Sequence, residues 1–209
     1  MSTATFFRYA LAVADRPYHH GNLRPALLAQ AEHTLREQGL DGLALRELAR
    51  QVGVSHAAPR RHFADRQALL DALAESGWAR LEAEVRAAVE SAGEDYEARL
   101  RASGQAYVRF ATRDAALLEL MFASRQGRQV ATLQEATAGA FSVLVELVQD
   151  GQASGVVEPG DPQRMALLLF ATVQGIAALA NAGIIAPKRL DPLVAEAIGR
   201  FLHGQPTLA

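Results

Sequence analysis

Residues 45–63 read LRELARQVGVSHAAPRRHF. Leu45, Leu48, Ala49 and Val52 recur at i, i+3, i+4 and i+7, one face of a short amphipathic helix. Gly53 stops it, since a residue without Cβ turns the chain sharply at little steric cost. Ser55 then offers its hydroxyl to the free amides at the start of a third helix, which is expected to end near His62. Pro59 falls in or beside the first turn of that helix, where few amides need partners. Two short helices about a tight glycine turn are helix-turn-helix construction, in which the first braces the second at a DNA major groove. Ala57 and Ala58 are small enough to let that helix approach base edges. Arg60 and Arg61 add permanent, forked cations suited to phosphate or guanine. An ordinary helical corner carrying a solvated arginine pair satisfies the same spacing, so both readings stay open at this point.

Outward from this segment the pattern remains helical, without sustained period-two alternation or a hairpin signal. Asn22 can cap a helix reaching Gln38, with Leu23, Leu27, Leu28, Ala31 and Leu35 inward and Gly39 as its stop. A longer helix is predicted from about 65 to 90, with Leu70, Leu73, Leu81, Val85 and Ala88 on one face. The SAGED stretch at 91–95 is the first linker. Further helices are expected near 95–113, 115–124, 128–152, 161–185 and 190–203. The stretch 128–152 is the most regular, through Val130, Leu133, Thr137, Ala140, Phe141, Leu144, Leu147 and Val148.

The chain has 209 residues, half of them hydrophobic, and no cysteine. That length buries a sizeable core, and the missing cysteines exclude disulfides, thiolate metal sites and a cysteine nucleophile. The net charge of −2 conceals an asymmetry. Between Arg8 and Arg66 nine arginines face six acids, whereas the remainder holds 12 basic residues and 17 acids. A basic first third on an acidic body suggests that one end meets a polyanion. Phe6–Ala14 is short and interrupted by Arg8, which reads as an arm (residues 1–17) and not as a signal peptide.

The uncharged run from Met165 to Ala186 is long enough to span a bilayer, but it carries Thr172, Gln174 and Asn181 and is rich in alanine. Ala171, Gly175, Ala178 and Ala182 form a stripe that lets another helix approach closely, so a subunit interface is expected and no membrane partner. Leu190, Leu193, Val194, Ala197, Ile198 and Phe201 would join that interface. Residues 95–203 far exceed what bracing a small reading head requires, which points to a ligand cavity. The expected lining is Trp78, Tyr107, Phe110, Met121, Phe122, Phe141, Phe170 and Gln174, and the expected ligand is apolar or aromatic. A buried Gln174 amide must find a partner in a ligand, a water or a second subunit. No GxSxG, GxGxxG, P-loop or HExxH motif is present, so no enzyme, cofactor or metal is expected. His33 and Glu37 lie one turn apart as a solvated pair, and His19-His20 belongs to the arm.

Tyr18-His-His-Gly-Asn-Leu, the first helix, and RELARQVGVSHAAPRRHFADRQALL together resemble the N-terminal domain of the TetR family of transcriptional regulators, over about residues 18–82. The resemblance implies an all-α homodimer. Residues 18–82 would be a three-helix DNA-binding domain, and 83–209 a helical ligand-binding and dimerisation domain. It further implies a cytoplasmic regulator, expected to be a repressor, that leaves a palindromic double-stranded operator when a small-molecule effector binds. Dimerisation would run through helices 161–185 and 190–203. By position, Ser55, His56, Ala57, Ala58, Arg60, Arg61 and His62 would form the recognition helix, with Arg46 and Arg66 on DNA phosphates and Phe63 in the core. Two positions depart from the pattern: Ala44 stands where a capping Ser or Thr is usual, and Arg60 where tyrosine is common. The second half resembles the subgroup with a Trp-His-Gly signature, but the matching residues are Val173-Gln174-Gly175, so no ligand carries over. A helical ligand-binding or adaptor dimer that does not read DNA is the rival, and it has no use for Arg60 and Arg61.

Overall fold

A computed structural model describes residues 23–127 and 131–203. The expected arm, the His19-His20 pair, the Asn22 cap and Val130 lie outside the described residues. Eight α-helices and no strand are found among the described residues. They are α1 (Leu23–Gln38), α2 (Leu45–Gln51), α3 (Arg66–Ser91), α4 (Tyr96–Arg113), α5 (Ala115–Gly127), α6 (Ala131–Ala153), α7 (Pro162–Asn181) and α8 (Leu190–His203). Each starts and stops for local reasons. Asp65, Asp95 and Asp161 cap α3, α4 and α7 by accepting from the backbone amides of Ala68, Ala98 and Gln163. Ala44, at the start of α2, has no side-chain cap bond. The helix expected over 161–185 ends at Asn181, where Ala182 leaves the helix and Gly183 adopts a left-handed φ of 73°.

One continuous apolar core runs from Leu23 to Ile198. Its axis is α3, which packs on α4, α5 and α6 in the body and on α1 in the head. The expected domain boundary at residue 82 therefore falls within an unbroken helix. The chain pauses instead at residues 92–95, where Gly93 takes a φ of 78°. By length and composition α7 could cross a bilayer, with 28% of its apolar window buried inside the chain.

Candidate nucleic-acid interface and effector cavity

In the head, α1 carries Leu27, Ala31 and Leu35 onto Leu48 of α2 and Phe63, all buried. Gly53 turns the chain at a φ of 75°, and the Val54 amide donates back to the Ala49 carbonyl. Beyond the turn the structure departs from expectation. No α-helix forms over Ser55–His62; the segment is a single 3-10 turn, Ala58–Arg61, preceded by Ala57 without a side-chain cap bond. Ser55 contributes its carbonyl, which accepts from the Ala58 amide at 3.0 Å, rather than a capping hydroxyl. Proline is the cause. Pro59 has no N–H to donate, and its ring disfavours helical backbone at the residue before it. Both Pro59 and Phe63 are buried, so the chain has only the span between them in which to turn. The tighter i→i+3 geometry fits that span.

The short turn still presents the expected side chains outward. Ser55, His56, Ala57, Arg60, Arg61 and His62 are exposed and Ala58 is half-buried. Arg46, Arg60 and Arg61 make no side-chain hydrogen bond or ion pair with any described residue. Arg66 differs: its Nε donates to the Leu43 carbonyl at 2.8 Å, and Nη2 donates to that of Leu40. The guanidinium expected on a phosphate thus also ties α3 to the loop before α2. Arg50 is held by Glu47, and Arg24 lies over the Phe63 ring at 5.4 Å.

In the body, α3, α4, α6, α7 and α8 enclose a cavity of about 540 Å³. Trp78, Tyr107, Phe122, Phe141 and Phe170 line it, as expected from their types. The rings meet edge-on: Trp78 with Phe122 at 5.4 Å, Tyr107 with Phe170 at 5.3 Å, and Phe141 with Phe170 at 6.1 Å. Three expected lining residues stand elsewhere. Phe110 is fully buried between the guanidinium groups of Arg80 and Arg113, and Met121 is packed against Gly77. Gln174 faces a second, shallower cavity of about 360 Å³ between α5 and α7. Its carboxamide oxygen accepts from the Tyr107 hydroxyl, so the amide is satisfied within the chain. Burial holds that hydroxyl protonated far above the usual tyrosine range. Sequence reasoning missed Ser103 and Gly104 as lining residues, because a small or polar residue in a helix carries no cavity signal.

Sequence reasoning also missed the joint between head and body. Asp114, fully buried between α4 and α5, accepts from Arg36 of α1 at 2.9 Å, Arg80 of α3 at 3.0 Å and Arg113 at 2.8 Å. Glu32 of α1 accepts from both Arg36 and Arg80. Burial pushes the Asp114 carboxyl upward, but the hydrogen bonds from Arg113 and Arg36 and the charge of Arg80 outweigh it, holding the pKa below the ordinary value. Among the described residues no group of three or more His, Asp or Glu is arranged to hold a metal ion.

Comparison with known proteins agrees with this architecture. Residues 27–73 match the family described as bacterial regulatory proteins, tetR family, and residues 100–201 match the tetracyclin repressor-like C-terminal domain. A protein of unknown function from Rhodococcus sp. RHA1 is 48% identical, covering 91% of this chain and 98% of that one, with a TM-score of 0.84. A bacterial regulatory protein in the tetR family from Rhodococcus RHA1 is 17% identical, covering 86% and 96% of the two chains, with a TM-score of 0.67; at that identity it shows the fold alone. The class C tetracycline repressor protein of Escherichia coli is 43% identical over 53 residues. That match spans 25% of this chain and 24% of the repressor.

Proposed function

The chain belongs to the TetR family of transcriptional regulators, and from that premise we propose that it is a homodimeric, cytoplasmic repressor released from a palindromic operator by a small molecule bound in the body cavity. One observation carries the reading: a solvent-facing turn on a braced corner displays Arg46, Arg60 and Arg61 with no partner among the described residues. Three unpaired guanidinium groups on one rigid corner repel one another, and a phosphate backbone relieves that repulsion while releasing counterions. Two such corners, related by a twofold axis and about 34 Å apart, would enter successive major grooves. His56, Ala57 and Ala58 would face the base edges, and Arg66 would contact phosphate with whatever donors the Leu40 and Leu43 carbonyls leave free.

The dimer would form on α7 and α8. Leu167, Leu168, Leu179 and Ile184 are exposed, and Ala171, Gly175, Ala178 and Ala182 between them let a second copy approach closely. The effector would act through the Asp114 joint. The cavity is walled partly by α4, and the junction of α4 with α5 holds α1 through Arg36. Any shift of α4 on filling the cavity would therefore tilt the head, favouring a dimer whose corners no longer match the groove spacing.

The test is selection of fragments from the host genome on the purified protein, followed by gel shifts with wild type and Arg61→Ala. The reading expects discrete fragments and weaker binding by the variant with its dimer intact. Recovery of no fragment would support the adaptor reading instead.

A further inference from the structure

The body cavity has two properties that narrow what it accepts. None of its lining residues is an acid, a lysine, an arginine or a histidine. A charged ligand group entering it would lose its hydration and meet no counter-charge, a heavy penalty at low dielectric. The second property is a buried donor without a partner. Trp78 is 4% exposed, lines the cavity, and its indole Nε1–H has no hydrogen-bond partner. Nearly all buried polar groups in folded proteins are partnered, so a donor left over beside an open cavity marks a position for an acceptor.

The neighbouring polar groups do not fill that role. The Ser103 hydroxyl donates to the Leu100 carbonyl at 2.8 Å, and the Tyr107 hydroxyl donates to Gln174. Their protons are committed to the chain. The remaining wall is aromatic and aliphatic, with Phe122, Phe141 and Phe170 offering ring faces and edges. The cavity volume of about 540 Å³ falls in the range of drug-sized ligand sites.

We infer that the cavity binds an uncharged, largely apolar, ring-bearing molecule whose one essential polar atom is a hydrogen-bond acceptor, such as a ketone or ester carbonyl oxygen, received by the Trp78 indole N–H. This rests on the reading of the cavity as the effector site. It extends that reading to a ligand class: carboxylates and phosphorylated molecules are refused, and a fully apolar hydrocarbon binds less well than its carbonyl analogue.

The experiment uses three probes of one shape on the full chain: acetylnaphthalene, ethylnaphthalene and naphthoate. Affinities are measured by titration calorimetry. Trp78 is the sole tryptophan, so its emission reports occupancy of the cavity directly. The ketone is expected to bind about three- to ten-fold tighter than ethylnaphthalene, the discrimination of one buried hydrogen bond. Naphthoate is expected to be weaker than the ketone by at least about ten-fold. In Trp78→Phe, with folding checked by thermal melting, the preference for ketone over hydrocarbon should collapse to about one. If that variant does not fold, the ranking on the unaltered protein decides alone. Naphthoate binding as tightly as the ketone, a ketone no tighter than the hydrocarbon, or no probe moving the Trp78 emission would each overturn the inference. The effector role is read separately, by adding the ketone to the complex with a selected genomic fragment. Correct ranking without release keeps the cavity assignment and contradicts the effector role.

Discussion

Arginine is used in opposite ways at the two ends of this molecule. In the body, Arg80, Arg86, Arg99, Arg101, Arg109, Arg113 and Arg200 each reach a carboxylate, and only Arg164 and Arg189 among the described body arginines have no such contact. At the tip of the head, Arg46, Arg60 and Arg61 reach none. Surface ion pairs contribute little to stability, so the body's arrangement is explained mainly as charge neutralisation. The bare tip has no such account within the chain. An arginine's partner therefore tells scaffold from recognition where the residue type alone does not.

The comparison breaks most visibly if a body arginine cluster is given the tip's condition. Asp114→Asn removes the charge that Arg36, Arg80 and Arg113 share. Breaking a wholly buried pair costs about 3–5 kcal/mol. These guanidinium groups are 42%, 32% and 52% exposed and can rehydrate. The expected loss of folding free energy is about 2–3 kcal/mol, measured by urea denaturation. A loss below about 0.5 kcal/mol, the scale of a surface pair, would show that the joint is ornamental.

At the tip the prediction inverts. Arg61→Ala should leave the denaturation midpoint unchanged and weaken DNA binding by about 1–3 kcal/mol if it forks onto a guanine, or less if it meets only phosphate. A variant that melts early but binds normally would move Arg61 from recognition to scaffold. Ala44→Ser sharpens the contrast without touching charge. It supplies the missing hydroxyl at the start of α2, where Glu47 stands three residues on, and should raise stability by about 1 kcal/mol.

The smallest effect at neutral pH concerns Tyr96, whose hydroxyl donates to the Leu147 carbonyl at 3.0 Å. Burial, helped by the Asp150 charge and opposed by Arg99, pushes its pKa from 10.0 up to about 12. The folded state thus favours the protonated phenol. Its contribution is complete below pH 10 and is lost as pH rises towards about 12. Tyr96→Phe should flatten that alkaline loss in a stability-versus-pH series, and an unchanged slope would assign the loss elsewhere, Tyr107 first.

Much of this was legible from residue order alone. The period of α1, α2 and α3, the Gly53 turn and the aspartates before α3, α4 and α7 are local signals, and the helices form where those signals lie. The failures are failures of locality. Pro59 was compatible with the start of a helix; what forbids the helix is its burial together with Phe63, a tertiary fact. Phe110 and Met121 have the same side-chain character as Phe122 and Phe170, yet the packing of α3 on α4 and α5 puts them against Arg80 and Gly77. Asp114 looks like an ordinary helix-junction acid, and nothing local announces a partner as distant as Arg36.

The central claim is that the unpaired tip arginines are reserved for a polyanion, and the salt dependence of binding tests it most directly. For a selected genomic fragment, the affinity should fall steeply with salt on a log–log plot, and Arg60→Ala with Arg61→Ala together should reduce the slope by about 2, one unit for each lost phosphate contact. A slope near zero in the unaltered protein, or one that the double variant leaves unchanged, would contradict the account.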